Sequence, residues 1–128
     1  MKIRSTLTLY LTIAVLALGI LAGCGPSGPT PTPAVPTDGV MDVDMRNYVY
    51  EPRSFEFEVG ETVEFRLISE DEPHTFTVKD LGINWVVPKN EEPQVETFTF
   101  NEAGTYRLVC TVAGHEGSGM VGKITVVE

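Results

Sequence analysis

Near the end of the chain one eleven-residue stretch, Cys110-Thr-Val-Ala-Gly-His115-Glu-Gly-Ser-Gly-Met120, carries a thiol, an imidazole and a thioether at five-residue intervals. These are soft and borderline metal ligands. One short thiolate bond combined with one long thioether contact is a donor set that selects copper.

A trigonal copper plane takes a second imidazole beside the thiolate and the first imidazole, with the methionine weakly axial. The chain has two histidines, so the missing donor is His74. In Pro73-His74-Thr75-Phe76-Thr77-Val78 the residues His74, Phe76 and Val78 alternate with Thr75, Thr77 and Lys79. A strand there points the imidazole toward the apolar side. Cys110 ends a similar alternation, Tyr106 and Leu108 against Arg107 and Val109, and its thiol therefore projects inward from a strand end. Taken singly, a buried Cys is a small hydrophobe, a lone His a satisfied polar group and a lone Met a core filler. Taken together, both histidines and Cys110 fall into one four-ligand pattern with Met120, which copper binding explains and separate core roles do not.

The order His74, then Cys110, four residues, His115, four residues, Met120, followed by Val121-Gly122-Lys123-Ile124-Thr125-Val126, resembles the single-domain blue copper proteins, the cupredoxins, which include plastocyanin, azurin and auracyanin. The resemblance covers residues 40 to 128. Plastocyanins usually have a shorter Cys-to-His interval and azurins a shorter His-to-Met interval, so the spacing is most similar to auracyanin-type proteins. The residue after the first histidine is often Asn in plastocyanin and azurin, where its side chain helps tie the two ligand loops together. This chain has Thr75 there, which leaves the inter-loop tie open while the ligands stand.

The resemblance implies an all-β, Greek-key sandwich or barrel with one type 1 copper per chain, held by His74, Cys110, His115 and Met120. It implies a monomer that shuttles one electron between redox proteins, such as a cytochrome or a membrane electron-transfer complex. In the family the second imidazole, here His115, has its outer edge exposed in an apolar patch and is the electron's exit. Val112, Ala113 and Gly114 are small or apolar and suit that patch. Cys110 couples the metal, and Met120 with the surrounding hydrophobicity sets the potential.

Four filled ligand positions leave no place for a small-molecule substrate, so catalysis is not expected. A multicopper oxidase or copper nitrite reductase needs further histidines, and a binuclear copper centre needs a second nearby cysteine. Two other classes fit the same residues less fully. One is a protein that stores or delivers copper without redox cycling, and the other is a metal-free β-sandwich adhesion module.

The elements that must position these donors are strands. From residue 40 the apolar positions have period two: Met41, Val43 and Met45; Phe55, Phe57 and Val59; Val63, Phe65 and Leu67. Turn signals at Glu51-Pro52-Arg53, Val59-Gly60-Glu61, Glu72-Pro73 and Ala103-Gly104 separate them at a spacing that suits a sandwich. No amphipathic helix stands out. Residues 79 to 94 break the alternation and carry the only tryptophan. Trp85, Val86 and Val87 either cover the copper end as part of a docking surface or, for Trp85, plug the core.

The start of the chain has a different purpose. Lys2 and Arg4 precede an apolar run from Leu7 to Leu21, and Leu21-Ala22-Gly23 supplies small residues before a cleavage point. Residues 1–23 therefore read as an export signal. Leu-Ala-Gly-Cys24 resembles the bacterial lipobox, in which the cysteine is acylated and becomes the mature N-terminus. An uncleaved anchor is the competing reading, but the run is short of the about 20 residues that cross a bilayer. The resemblance implies an extracytoplasmic domain held on the cell membrane through a lipid on Cys24, whose several acyl chains give stable anchoring. An oxidising compartment would also permit a Cys24–Cys110 disulfide, yet that bond would consume the thiol which the His and Met spacing needs.

Residues 25 to 39 hold five of the nine prolines and almost nothing to bury. At ~3.1 Å per residue such a tether spans up to about 45 Å. It either lets the domain, residues 40–128, swing between partners or clears the envelope as a passive spacer. At 128 residues and 42% hydrophobic content the chain supports one domain with a core that needs no cross-links. The formal charge is −9, from 9 basic and 18 acidic side chains. Removing Lys2 and Arg4 with the signal leaves 7 against 18, or −11, which argues against nucleic acid and anionic lipid as direct partners. Glu70-Asp71-Glu72, just before His74, either steers a basic partner or is a solvated loop.

Overall fold

A computed structural model describes residues 31–128. The export signal at residues 1–23, the lipidation position Cys24 and the first part of the Pro-rich tether lie outside the described residues.

Period-two patterning becomes nine strands: β1 (Val40–Arg46), β2 (Val49–Glu51), β3 (Ser54–Glu58), β4 (Thr62–Ser69), β5 (His74–Val78), β6 (Ile83–Val87), β7 (Gln94–Thr99), β8 (Gly104–Val109) and β9 (Val121–Val127). Among the described residues there is no α-helix, only a 3-10 turn at Lys79–Leu81. The strands form two sheets, ordered β2-β1-β4-β7 and β3-β9-β8-β5-β6. Pairs β1/β4 and β3/β9 are parallel and the other pairings antiparallel. This is the all-β sandwich expected.

The two sheets meet through the residues that the alternation points inward. Met41, Val43 and Met45 of β1 and Val63, Phe65 and Leu67 of β4 form one inner face. Phe55 and Phe57 of β3, Phe76 of β5, Leu108 of β8 and Ile124 of β9 belong to the same buried core in the other sheet. Aromatic rings interlock across the gap, with Phe65 centred 5.7 Å from Phe57 and 5.5 Å from Phe76. Each fully buried side chain of this size is worth about 1.5–3 kcal/mol. Cys110 is a buried free thiol.

Two expectations need adjusting. Val59 lies past the end of β3 and is exposed, because Gly60 and Glu61 turn the chain there. Residues 79 to 94 are not a single irregular excursion: they contain the 3-10 turn and then β6, which pairs back on β5 with Phe76 opposite Trp85 and His74 opposite Val87. The described residues, Pro31–Glu128, form one compact unit. Ala34 forms a parallel bridge beside Phe55, donating to Ser54 O and accepting from Glu56 N at 2.8 Å each. The end of the Pro-rich stretch therefore runs along the edge of β3, whose outer backbone groups it satisfies.

Candidate metal centre

His74 opens β5 directly after Pro73, and Cys110 follows the last residue of β8. Thr77 of β5 pairs with Val109 of β8, so the two strands are neighbours and deliver imidazole and thiol to the same end of the sandwich. His115 and Met120 sit on the loop that joins β8 to β9. That loop is closed at its base by Cys110 N donating to Met120 O (3.2 Å) and across its middle by Met120 N donating to His115 O (3.0 Å). Gly114 and Gly119, each immediately before a candidate ligand, have φ of 86° and 98°. Only glycine adopts that region at no steric cost, so the two glycines aim His115 and Met120 inward.

The structure brings His74, Cys110 and His115 together. His74 Nδ1 is 3.2 Å from His115 Nδ1 and 3.9 Å from Cys110 Sγ, and His115 Nδ1 is 3.6 Å from that sulfur. Among the described residues this trio is the group of His, Cys, Asp or Glu able to hold a metal ion. The centre of a triangle with these sides lies about 2.1 Å from each corner, within the roughly 2.0–2.3 Å span of bonds from imidazole and thiolate to a small transition-metal ion. The donors therefore fit one ion in their plane, which is the trigonal His2Cys arrangement of blue copper. Met120 is fully buried at the foot of the same loop.

The surroundings are dry and ordered. His74, Cys110 and Met120 have no exposed surface, and His115 retains 5%. Thr75 N donates to Cys110 Sγ at 3.4 Å, a contact that stabilises a thiolate. Thr75 Oγ1 accepts Thr111 N at 2.8 Å and lies 3.1 Å from Thr111 Oγ1. Thr77 Oγ1 donates to Thr75 Oγ1 (3.0 Å) and also contacts Asn84 Oδ1 (2.8 Å). The inter-loop tie left open by Thr75 is thus made, by a hydroxyl instead of an amide. Tyr50 donates its hydroxyl to Thr75 O at 2.6 Å, and burial, reinforced by the charge of Cys110, raises its pKa well above the ordinary phenol value.

The sequence did not reveal what the acidic run does. Asp71 Oδ1 lies 2.8 Å from His74 Nε2, Glu72 Oε1 lies 3.5 Å from His115 Nε2, and Glu70 pairs with Arg46. Partial burial works against the Asp71 charge, but the backbone N–H of Asn47, the His74 imidazole and the backbone N–H of Glu72 outweigh it and lower its pKa. Beside His115, Val112 is half-buried and Ala113 and Gly114 are exposed. Tyr48 stands edge-on to the His115 ring at 5.1 Å, and Glu72 faces its outer nitrogen. Trp85 takes the core role, 5.3 Å from Phe65 and stacked on Phe76 at 5.5 Å. Val87, opposite His74, is buried, and Val86 alone of the three points outward.

Comparison with known proteins agrees with this geometry. The model of the cupredoxin-like domain family matches residues 12–126. The chain is similar to plastocyanin of Prochlorothrix hollandica, 28% identical over 123 residues, covering 91% of this chain and 88% of that protein. It is also similar to plastocyanin A'/A'' of Nicotiana tabacum, 31% identical over 97 residues, covering 68% and 96%. Among solved structures it superposes on auracyanin A of Chloroflexus aurantiacus with a TM-score of 0.56 at 19% identity, covering 68% of this chain and 97% of that one; the likeness is one of fold. A two-sheet β-sandwich with a buried His2Cys triangle is a blue copper architecture. The chain belongs to the cupredoxin-like family, and its cofactor is copper. The family's general activity is electron transfer.

Proposed function

We propose that this chain is a single-copper electron carrier whose ligands are His74, Cys110, His115 and Met120. The observation that carries this reading is the donor triangle of 3.2, 3.6 and 3.9 Å, buried and closed by hydrogen bonds. Copper supplies a one-electron Cu(I)/Cu(II) couple in such a site. The chain's part is to keep the donors still. Strands β5 and β8 fix His74 and Cys110, the Thr75–Thr111 tie holds the two segments together, and the buried surroundings exclude water. A donor set that barely moves when charge changes lowers the cost of each transfer. Of the four, His115 is the one that reaches the surface, and the electron leaves at its edge, beside Tyr48.

The same burial supports a carrier rather than an enzyme: His74, Cys110 and Met120 have no exposed surface at which a substrate would meet them. The partners are redox proteins such as a cytochrome or a membrane complex. Lipidation of Cys24 would hold the domain on the outer side of the cell membrane through the Pro-rich tether.

The test is a spectrum and voltammogram of the copper-loaded full-length chain. An intense visible thiolate-to-copper band with a reversible one-electron wave is expected, and Cys110→Ser abolishes the band. A colourless, redox-silent copper form would favour storage, and failure to take up copper would favour an adhesion module.

A further inference from the structure

Both imidazoles have a carboxylate behind them. His74 turns Nδ1 into the donor triangle and Nε2 toward Asp71 Oδ1 at 2.8 Å. Asp71 is itself fixed: Oδ2 accepts Asn47 N at 2.7 Å and Oδ1 accepts Glu72 N at 2.8 Å. Glu72 then places Oε1 3.5 Å from His115 Nε2, a longer and more exposed contact. We propose that Asp71 is a positioning residue that locks His74 in the Nε2–H tautomer and, with weaker help from Glu72, lowers the reduction potential of the centre. This rests on the four-donor copper reading above.

A neutral imidazole carries one N–H and one lone pair, and what its outer nitrogen bonds decides which is which. A carboxylate accepts but cannot donate, so Asp71 draws the proton to Nε2 and leaves the Nδ1 lone pair in the triangle. His74 is fully buried, so bulk water does not compete for that nitrogen. Among the described residues Asp71 has no Lys or Arg partner, since Arg46 is taken by Glu51 and Glu70. Among the described residues no side-chain cation therefore offsets its charge. A carboxylate bonded to a ligating histidine raises the basicity of the ring, and negative charge nearby favours the more positive of two metal states. Both effects favour Cu(II).

The full-length protein is measured with three single substitutions. Asp71→Asn keeps an oxygen that can accept from Nε2 and removes the charge, so the visible band stays and the potential rises. Asp71→Ala removes the acceptor too, and copper affinity falls about 10–100-fold. Glu72→Gln raises the potential less than Asp71→Asn. In the metal-free unaltered protein, nitrogen-15 chemical shifts show His74 protonated at Nε2, a readout that needs no variant to fold.

Asp71→Asn with an unaltered potential, Asp71→Ala with an unaltered copper affinity, or His74 protonated at Nδ1 would each overturn the proposal. A wild-type chain that takes up no copper defeats the ligand reading instead, and the tautomer measurement then still decides the Asp71 contact. A normal blue spectrum with unresponsive Asp71 variants defeats this inference alone.

Discussion

Thr75 and Thr111 are 36 residues apart in sequence, yet Thr75 Oγ1 accepts the backbone N–H of Thr111 at 2.8 Å. That contact joins the residue after the first imidazole to the residue after the thiolate, and the same Thr75 gives its own N–H to the sulfur. One residue thus sets the separation of two donors and hydrogen-bonds one of them.

Thr75→Val should therefore destabilise the copper-free protein by about 0.5–1.5 kcal/mol, the net worth of one part-buried hydrogen bond. Thr75→Ser, which keeps the hydroxyl, should recover most of that loss. Denaturant unfolding of the metal-free chain measures both, and the Val variant should also bind copper more weakly. Equal stability of Val and wild type would show that the hydroxyl is not what joins the segments.

Met120→Leu should keep copper bound and raise the potential, because a weak donor to Cu(II) is lost. A tenfold change in the preference between oxidation states is about 59 mV for a one-electron couple, and a rise of that order is expected in voltammetry. An unchanged potential and spectrum would remove Met120 from the axial position.

Much of this was legible because side-chain period and ligand type are local properties. Met41, Val43 and Met45 alternate visibly, and they face the core as expected. His74 and Cys110 each sit in such an alternation, which fixed the face they point to before their strands were known to be neighbours. What stayed hidden depends on contacts between distant segments. Thr75 and Thr77 read as the solvent side of a strand, but β5 is flanked by β8 and β6, and Thr111 and Asn84 cover its outer face. Asp71 and Glu72 read as a solvated or steering run because nothing local shows a carboxylate folding back on an imidazole. Ala34 read as tether, since the exposed edge of β3 that it satisfies exists only after the sheet has formed.

Asp44 offers a pH test at a residue that is not itself a candidate ligand. Partial burial, then the charges of Glu70, Glu51 and Asp42 against the opposing Arg46, raise its pKa in the folded chain. A carboxyl whose folded pKa lies above its unfolded value of about 3.9 binds protons more tightly when folded, so it costs stability as pH rises through that window. Asp44→Asn should thus raise the denaturant midpoint of the metal-free protein at pH 7. The gain should shrink as pH falls through the carboxylate range and wild-type Asp44 takes up its proton. A gain that persists unchanged at low pH would mean the effect is not electrostatic.

Gly114 and Gly119 give the last test, because they separate strain from crowding. A Cβ at either position meets nothing within 4 Å, so the only penalty is the positive φ. Gly114→Ala and Gly119→Ala should each cost about 1–2 kcal/mol of stability. Gly117→Ala, at a position without positive φ where the added carbon meets Gly114 O at an ordinary 3.6 Å, should cost little. If the strain relaxes by turning the chain, the residue that follows moves with it. Gly119→Ala should then shift the potential through Met120, and Gly114→Ala should weaken copper binding through His115, while Gly117→Ala leaves both as they were. Equal responses from all three would mean that the loop is set by the contacts at its base, Cys110 to Met120, and not by the two glycines.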